Sequence, residues 1–249
     1  MKNIITITSL LAIATVCASA AVPETNTWEQ VDFTLNGNTQ GQFSVTNKVG
    51  TLNQGRAGFG SFTVGSKSLT SISVEDYSWK VSFNLNVSSV SGTQMLFSSL
   101  GSANGSGYSI SVTQTDSKFV YDLRSGSDQI ASKPVVLSTS TTNTITATNN
   151  TDSVSLIWDS VADTLYLSVG EQSLAYSGLT KSDLTLTTNS NISSGQPNGG
   201  AIFWANGTAT KLNNITLSVK AIPEPSAFGL LAGLGALALV GARRRRKTK

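Results

Sequence analysis

Apolar and polar residues alternate along most of this chain. Trp79, Val81, Phe83, Leu85 and Val87 interleave with Lys80, Ser82, Asn84, Asn86 and Ser88, the period of a strand with one buried face. The same period runs through Val31-Phe33-Leu35, Phe43-Val45, Phe62-Val64, Ile72-Val74, Tyr108-Ile110-Val112 and Phe119-Tyr121-Leu123. It continues through Val154-Leu156-Trp158, Leu165-Leu167-Val169, Leu184-Leu186, Ile202-Trp204 and Ile215-Leu217-Val219. Turn chemistry separates many of these stretches, at Asn36-Gly37-Asn38, Asn104-Gly105, Gly126-Ser127-Asp128 and Asn206-Gly207. No helical period emerges outside the two terminal stretches, and no repeat of fixed length stands out. About a dozen short strands predict an all-β sandwich of jelly-roll type.

The terminal stretches read differently. Lys2 and Asn3 precede an apolar run over residues 4–16, which Ala18-Ser19-Ala20 follows. That is the charged, apolar and small-residue order of a secretory signal peptide, with cleavage after Ala20. Cys17 lies inside this segment, and Ala14, Thr15 and Val16 before it lack the pattern that precedes a lipid-modified cysteine. At the other end, residues 227–242 are uncharged and rich in Leu, Ala and Gly, and Arg243, Arg244, Arg245 and Arg246 come next. As a helix this run reaches about 24 Å, against a hydrocarbon core of about 30 Å. The preceding Ile222, snorkelling arginines and local thinning close that gap. Four fixed positive charges after an apolar run form a stop-transfer signal, so a C-terminal transmembrane helix is expected.

The motif Pro223-Glu224-Pro225-Ser226, then the apolar run, then the arginines resemble the PEP-CTERM sorting tail. The resemblance implies processing at or near Pro223, Glu224 and Pro225 by an exosortase-type membrane enzyme. It also implies transit across the inner membrane and delivery to the cell surface or the extracellular space. The expected division is a signal peptide over 1–20, an ectodomain over 21–222 and a sorting tail over 223–249.

Charge changes sign once the ends are set aside. The whole chain carries +3, but within 21–222 ten basic residues face thirteen acidic ones, a net −3. No basic patch remains to neutralise phosphates, which removes the support for a nucleic-acid partner. Without Cys17 the ectodomain has no cysteine, so a hydrophobic core must hold it together.

Composition also narrows the chemistry. The chain has no histidine, which excludes a Ser-His-Asp triad, a His-ligated zinc and an imidazole base. Glycoside hydrolysis needs two carboxyl groups about 5–10 Å apart across a cleft. Glu75 and Asp76 are adjacent and would point to opposite faces of a strand, Glu24 and Glu29 sit near the start of the ectodomain, and Glu171 falls in a turn. Asp122 and Arg124 share one face of their strand and are expected to pair. An enzyme is not expected, and neither a cofactor nor a metal is called for. Asp159 and Asp163 flank a tight turn and accept backbone N–H bonds there, and they are too few to form a Ca²⁺ site alone.

The stretch 78–179 resembles the laminin-G/concanavalin-like jelly roll, through SWKVSFNLNVSS, MLFSSLGSANGSGYSISVT, KFVYDLRSG and SVSLIWDSVADTLYLSVGEQSL. The resemblance implies that sandwich and no particular ligand, because the fold hosts lectins, glycanases and inert spacers alike. Trp79 and Trp158 alternate with core positions. Trp204 with Asn206 borders a Gly-rich loop and is the better candidate for ligand stacking, with core or rim packing as the first reading of its ring, while Trp28 and Tyr77 stay open. Two functional expectations follow. One is a structural protein of the cell surface or extracellular matrix; the other is a polysaccharide-binding, lectin-like surface module.

Overall fold

The computed structural model describes residues 27–37, 42–87, 89–101, 107–125, 135–136, 144–148, 153–189, 200–205 and 210–222. In the first half of the chain the strands are β1 (Glu29–Gln30), β2 (Asp32–Gly37), β3 (Gln42–Thr46), β4 (Val49–Val64), β5 (Lys67–Leu69), β6 (Ser71–Ile72), β7 (Tyr77–Asn86), β8 (Thr93–Gly101) and β9 (Tyr108–Thr115). In the second half they are β10 (Lys118–Ser125), β11 (Val135–Val136), β12 (Thr144–Ala147), β13 (Ser153–Asp159), β14 (Thr164–Val169), β15 (Gln172–Ser177), β16 (Leu186–Thr187), β17 (Gly200–Ala205) and β18 (Lys211–Ala221).

These strands make two antiparallel sheets packed face to face. One sheet runs β3-β4-β18-β7-β13-β14-β15, with β1 also on β18. The other runs β2-β4-β17-β8-β9-β10, with β11 and β12 both on β10. The fold is therefore the all-β sandwich that the alternation predicts. Its interior takes most of the positions named from period two and adds others that the pattern does not name: Trp79, Val81, Phe83 and Leu85 from β7 face Ile110 and Tyr121, and also Phe59, Phe97 and Phe203, from the other sheet, all buried. Phe203 ties the layers together, with ring centroids 4.8 Å from Phe97, 5.2 Å from Phe59 and 6.2 Å from Phe83. The two edge-to-face contacts, with Phe59 and Phe83, each add about 1 kcal/mol beyond area burial.

The sandwich departs from the sequence reading in two places. Phe62-Val64 reads as a short strand of its own, yet Val49–Val64 is a single strand. Its first half pairs with β3 and β18, and its second half with β2 and β17. The change of sheet falls at Gly55, whose φ of 88° other residues rarely adopt. Leu184-Leu186 reads as a strand, but Lys181–Leu184 is a 3-10 turn and only β16 follows, paired with β6. Both leucines are still buried, and the Leu184 carbonyl accepts the Trp79 indole N–H at 2.9 Å. The tertiary hydrogen bond decides the local conformation there.

Hairpin chemistry explains the register. Asn47 and Lys48 both have positive φ, which gives the β3–β4 turn the handedness that matches strand twist. The β13–β14 turn forms as expected at Asp159, whose Oδ1 accepts N–H bonds from Val161 at 2.9 Å and Ala162 at 3.1 Å, whereas Asp163 supplies the turn's positive φ of 51° and its carboxylate pairs with Lys181 at 3.0 Å. Asn104-Gly105, Gly126-Ser127-Asp128 and Asn206-Gly207 lie outside the described residues.

Candidate functional site

At one end of the sandwich the chain gathers its first and last strands. Glu29 of β1 pairs with Val219 of β18, and Ala221 of β18 pairs with Tyr77 of β7. The Ile222 N–H donates to the Asp76 carbonyl at 2.8 Å, so sheet bonding extends one residue past β18. A turn holds Asp76 and Tyr77 in place, with both their N–H groups donating to the Ser73 carbonyl, at 3.2 and 3.0 Å. The Ser73 hydroxyl accepts from the Glu75 N–H at 3.1 Å.

A cleft of about 520 Å³ opens here, lined by Thr27, Trp28, Glu29, Val64, Tyr77, Val219 and Ala221. Trp28 is 43% exposed, because it precedes a strand only two residues long that has β18 alone as partner. Glu29 is fixed rather than free: its Oε1 accepts the Gly65 N–H at 2.9 Å. Gly65 stands at φ 58° in the β4–β5 turn, and that turn presents its N–H to the carboxylate.

Two aromatic side chains, a threonine and one anchored carboxylate make a surface for stacking and hydrogen bonding. Indole and phenol rings present an apolar face with a polar tip, suited to amphipathic ligands. Among the described residues Glu29 is the single acid in the lining, and no second carboxylate there faces it as glycoside hydrolysis needs.

The residue singled out from sequence for ligand stacking is placed differently. Trp204 is only 2% exposed. It lies on β17, a strand flanked on both sides by β4 and β8, and clusters with Ile202 and Met95 apart from the main core. That cluster occupies the face of the second sheet turned away from the first, because Trp204 pairs with Arg56, and Met95 with Ser111. The correction is physical: Phe203, not Trp204, takes the main-core side of β17, and the opposite face that carries Ile202 and Trp204 is itself covered, so the ring offers no free surface for stacking.

The same covered face carries the Asp122–Arg124 pair expected from sequence. Asp122 accepts from Arg124 Nε at 2.7 Å and from its Nη2 at 2.9 Å, in the two-point geometry a guanidinium favours. Ser98, Ser109 and Ser111 are buried beside it. Trp79 and Trp158 lie in the core as expected.

The remaining residues named from sequence, Ala18, Ala20, Asn206, Pro223, Glu224, Pro225 and Arg243 to Arg246, lie outside the described residues. The cleft at Trp28 was missed as a site because its lining comes from four separated stretches of chain. Among the described residues no group of three or more acidic, His or Cys side chains is placed to hold a metal. Among them, too, no helix is long and apolar enough to cross a membrane, and residues 227–242 fall outside that set.

Fold and site together define a β-sandwich whose last strand ends, at Ala221, where the C-terminal tail begins. That tail is a recognised signal: residues 221–246 match the PEP-CTERM protein-sorting motif. No curated protein sequence matches the chain. Among solved structures, the carbohydrate-binding module CBM66 from Bacillus subtilis is similar at 14% identity and a TM-score of 0.33, over 78% of this chain and 96% of that one. The CBM40 module of the Ruminococcus gnavus IT-sialidase, bound to α2,6-sialyllactose, is similar at 10% identity and a TM-score of 0.31, over 58% of this chain and 75% of that one. The binding domain of botulinum neurotoxin DC gives 10% identity and 0.31, over 80% of this chain and 44% of that one. Likeness at this level assigns no ligand to the present cleft.

Proposed function

We propose that this protein is a non-catalytic surface protein, exported by the segment 1–20 and processed through the tail 223–249. Its role is structural, in the cell surface or extracellular matrix. The observation that carries this reading is the sorting motif at 221–246, joined without a spacer to the last strand of the sandwich. Its apolar run and four arginines halt transfer at the inner membrane, and an exosortase-type enzyme acts at Pro223, Glu224 and Pro225.

The test is expression of the full chain in hosts with and without such an enzyme, followed by intact-mass measurement and fractionation. A surface or medium product shortened by about 27 residues, formed only with the enzyme, supports the reading. An uncut product in both hosts, or equal cutting in both, overturns it.

A second reading rests on a specific observation, the exposure of Trp28 in the cleft. After release, this cleft stacks a sugar ring on the indole and hydrogen-bonds its hydroxyls to Thr27 and Glu29. The carboxylate favours neutral over acidic sugars. Pull-down on neutral and acidic polysaccharides is expected to show retention on neutral ones that Trp28→Ala abolishes; retention unchanged in that variant removes the reading.

A further inference from the structure

Among the described residues the large apolar side chains left exposed are Trp28, at 43%, and Val161, at 83%. They sit at the same end of the sandwich. Val161 is in the β13–β14 turn, which the Ser160 N–H bond to Ser78 Oγ at 3.0 Å fastens to the start of β7. Trp28 lines the cleft beside Tyr77, at that same start of β7. This is also the end from which the tail departs, since β18 runs from Lys211 toward Ala221 and stays bonded as far as Ile222.

The spacing leaves almost no slack. Five Cα-to-Cα steps, across the four residues 223–226, separate Ile222 from Ala227, where the apolar run begins. Fully extended they span at most roughly 17 Å. Part of that length crosses the headgroup layer, about 5–8 Å thick on each side of the hydrocarbon. While the run occupies a bilayer, the Trp28 end must therefore face the membrane at close range. Trp and Tyr are the residues that favour the membrane–water interface.

We propose that, before the tail is cut, the sandwich rests on the lipid surface through this end, with Trp28 and Tyr77 in the headgroup layer. The proposal rests on the reading that the tail enters the bilayer. The membrane then covers the cleft until processing frees it. Charge sets the preferred lipid. Glu29, Glu75, Asp76 and Asp159 stand at this end against Lys67 and Lys220, while Lys181 and Asp163 pair with each other at 3.0 Å. An acidic rim favours zwitterionic over anionic headgroups.

Tryptophan emission offers a selective test. Of the four tryptophans, Trp79, Trp158 and Trp204 are buried, at 0%, 1% and 2% exposure, so aqueous quenchers report on Trp28. The full chain is reconstituted into phosphatidylcholine vesicles and floated, and the emission of Trp28 is taken as the difference from Trp28→Phe. The expected result is strong quenching by headgroup-proximal brominated lipid and several-fold protection from acrylamide. A ten-residue Gly/Ser spacer inserted between Ile222 and Pro223 is expected to remove most of that protection. A chain that floats while Trp28 is as open to acrylamide as in the spacer variant overturns the proposal alone. A chain that fails to float overturns the bilayer reading of the tail, and the proposal with it.

Discussion

Two regions of this sandwich carry a tryptophan outside the main core, and they differ in exposure, in strand support and in cover. Around Trp204 the outer face of the second sheet is closed: Ile202, Met95, Ser98, Ser109, Ser111 and Asp122 are all buried there. Around Trp28 the sandwich end is open and holds a cleft of about 520 Å³. β17 is flanked on both sides in the middle of a sheet, whereas β1 is two residues long at the end of β18. Availability of an aromatic ring thus depends on the number of flanking strands and on what covers the face. Alternation reports only which face a side chain takes.

The sharpest break of this comparison is a pair of substitutions. Trp204→Ala is expected to destabilise the fold by about 3–5 kcal/mol, the cost of emptying a packed indole site. Trp28→Ala is expected to change stability by about 0.5 kcal/mol or less. Urea unfolding of both variants decides, and equal losses would mean that the two environments do not differ.

On the covered face, Asp122→Ala removes one partner of a two-point ion pair and leaves the Arg124 guanidinium with only its other contacts. We expect a loss of about 2–3 kcal/mol, with the Arg124 side chain only 18% exposed. Restoration of stability in the double variant Asp122→Leu, Arg124→Met would confirm that desolvation sets the cost.

At the open end, Asp159→Ala removes two N–H acceptor contacts in an exposed turn and should cost about 1 kcal/mol, as a lost cap does. A loss as large as that of Asp122→Ala would erase the contrast between covered face and open end.

The smallest effect at neutral pH is expected at Tyr176, on β15. Burial, and secondarily the Asp122 carboxylate, raise its phenol from the ordinary 10.0 to about 12. The fold favours the neutral phenol. This contribution to stability is therefore complete below pH 10 and is lost as pH rises through 12. Tyr176→Phe should leave stability at pH 7 nearly unchanged and flatten the alkaline loss in that window, read by unfolding at stepped pH. A variant with the same alkaline slope would assign that loss to other groups.

Much of the fold is legible because buried strands must alternate. Trp79 through Val87 shows it plainly, and so does the Asp159 turn, where a carboxylate two residues from an N–H has few other options. The Asp122–Arg124 pair is readable because a spacing of two places both side chains on one face. β4 is less legible, since Gly50, Gly55, Gly58 and Gly60 make its sequence look like a loop. In the structure those glycines allow close approach and a change of sheet. The cleft was hidden for another reason. Residues 27–29, Val64, Tyr77 and 219–221 meet only through the pairing of β1, β7 and β18, and no local pattern encodes that meeting. The cover over Trp204 is likewise a tertiary property.

The position of β18 has a mechanical consequence. β7 pairs with it along nearly its whole length, β4 flanks its first half and β1 its last residues, and its bonding to neighbouring backbone persists to Ile222, immediately before Pro223. A tether attached at that point pulls along the strand axis, so the load falls on the rungs of both ladders at once rather than peeling them apart singly. Shear of this kind is the direction in which a β-ladder yields least. A domain held to a surface by this residue meets drag or crowding with an interior strand of its sheet taking the force, and the hydrophobic core against that strand shares the strain.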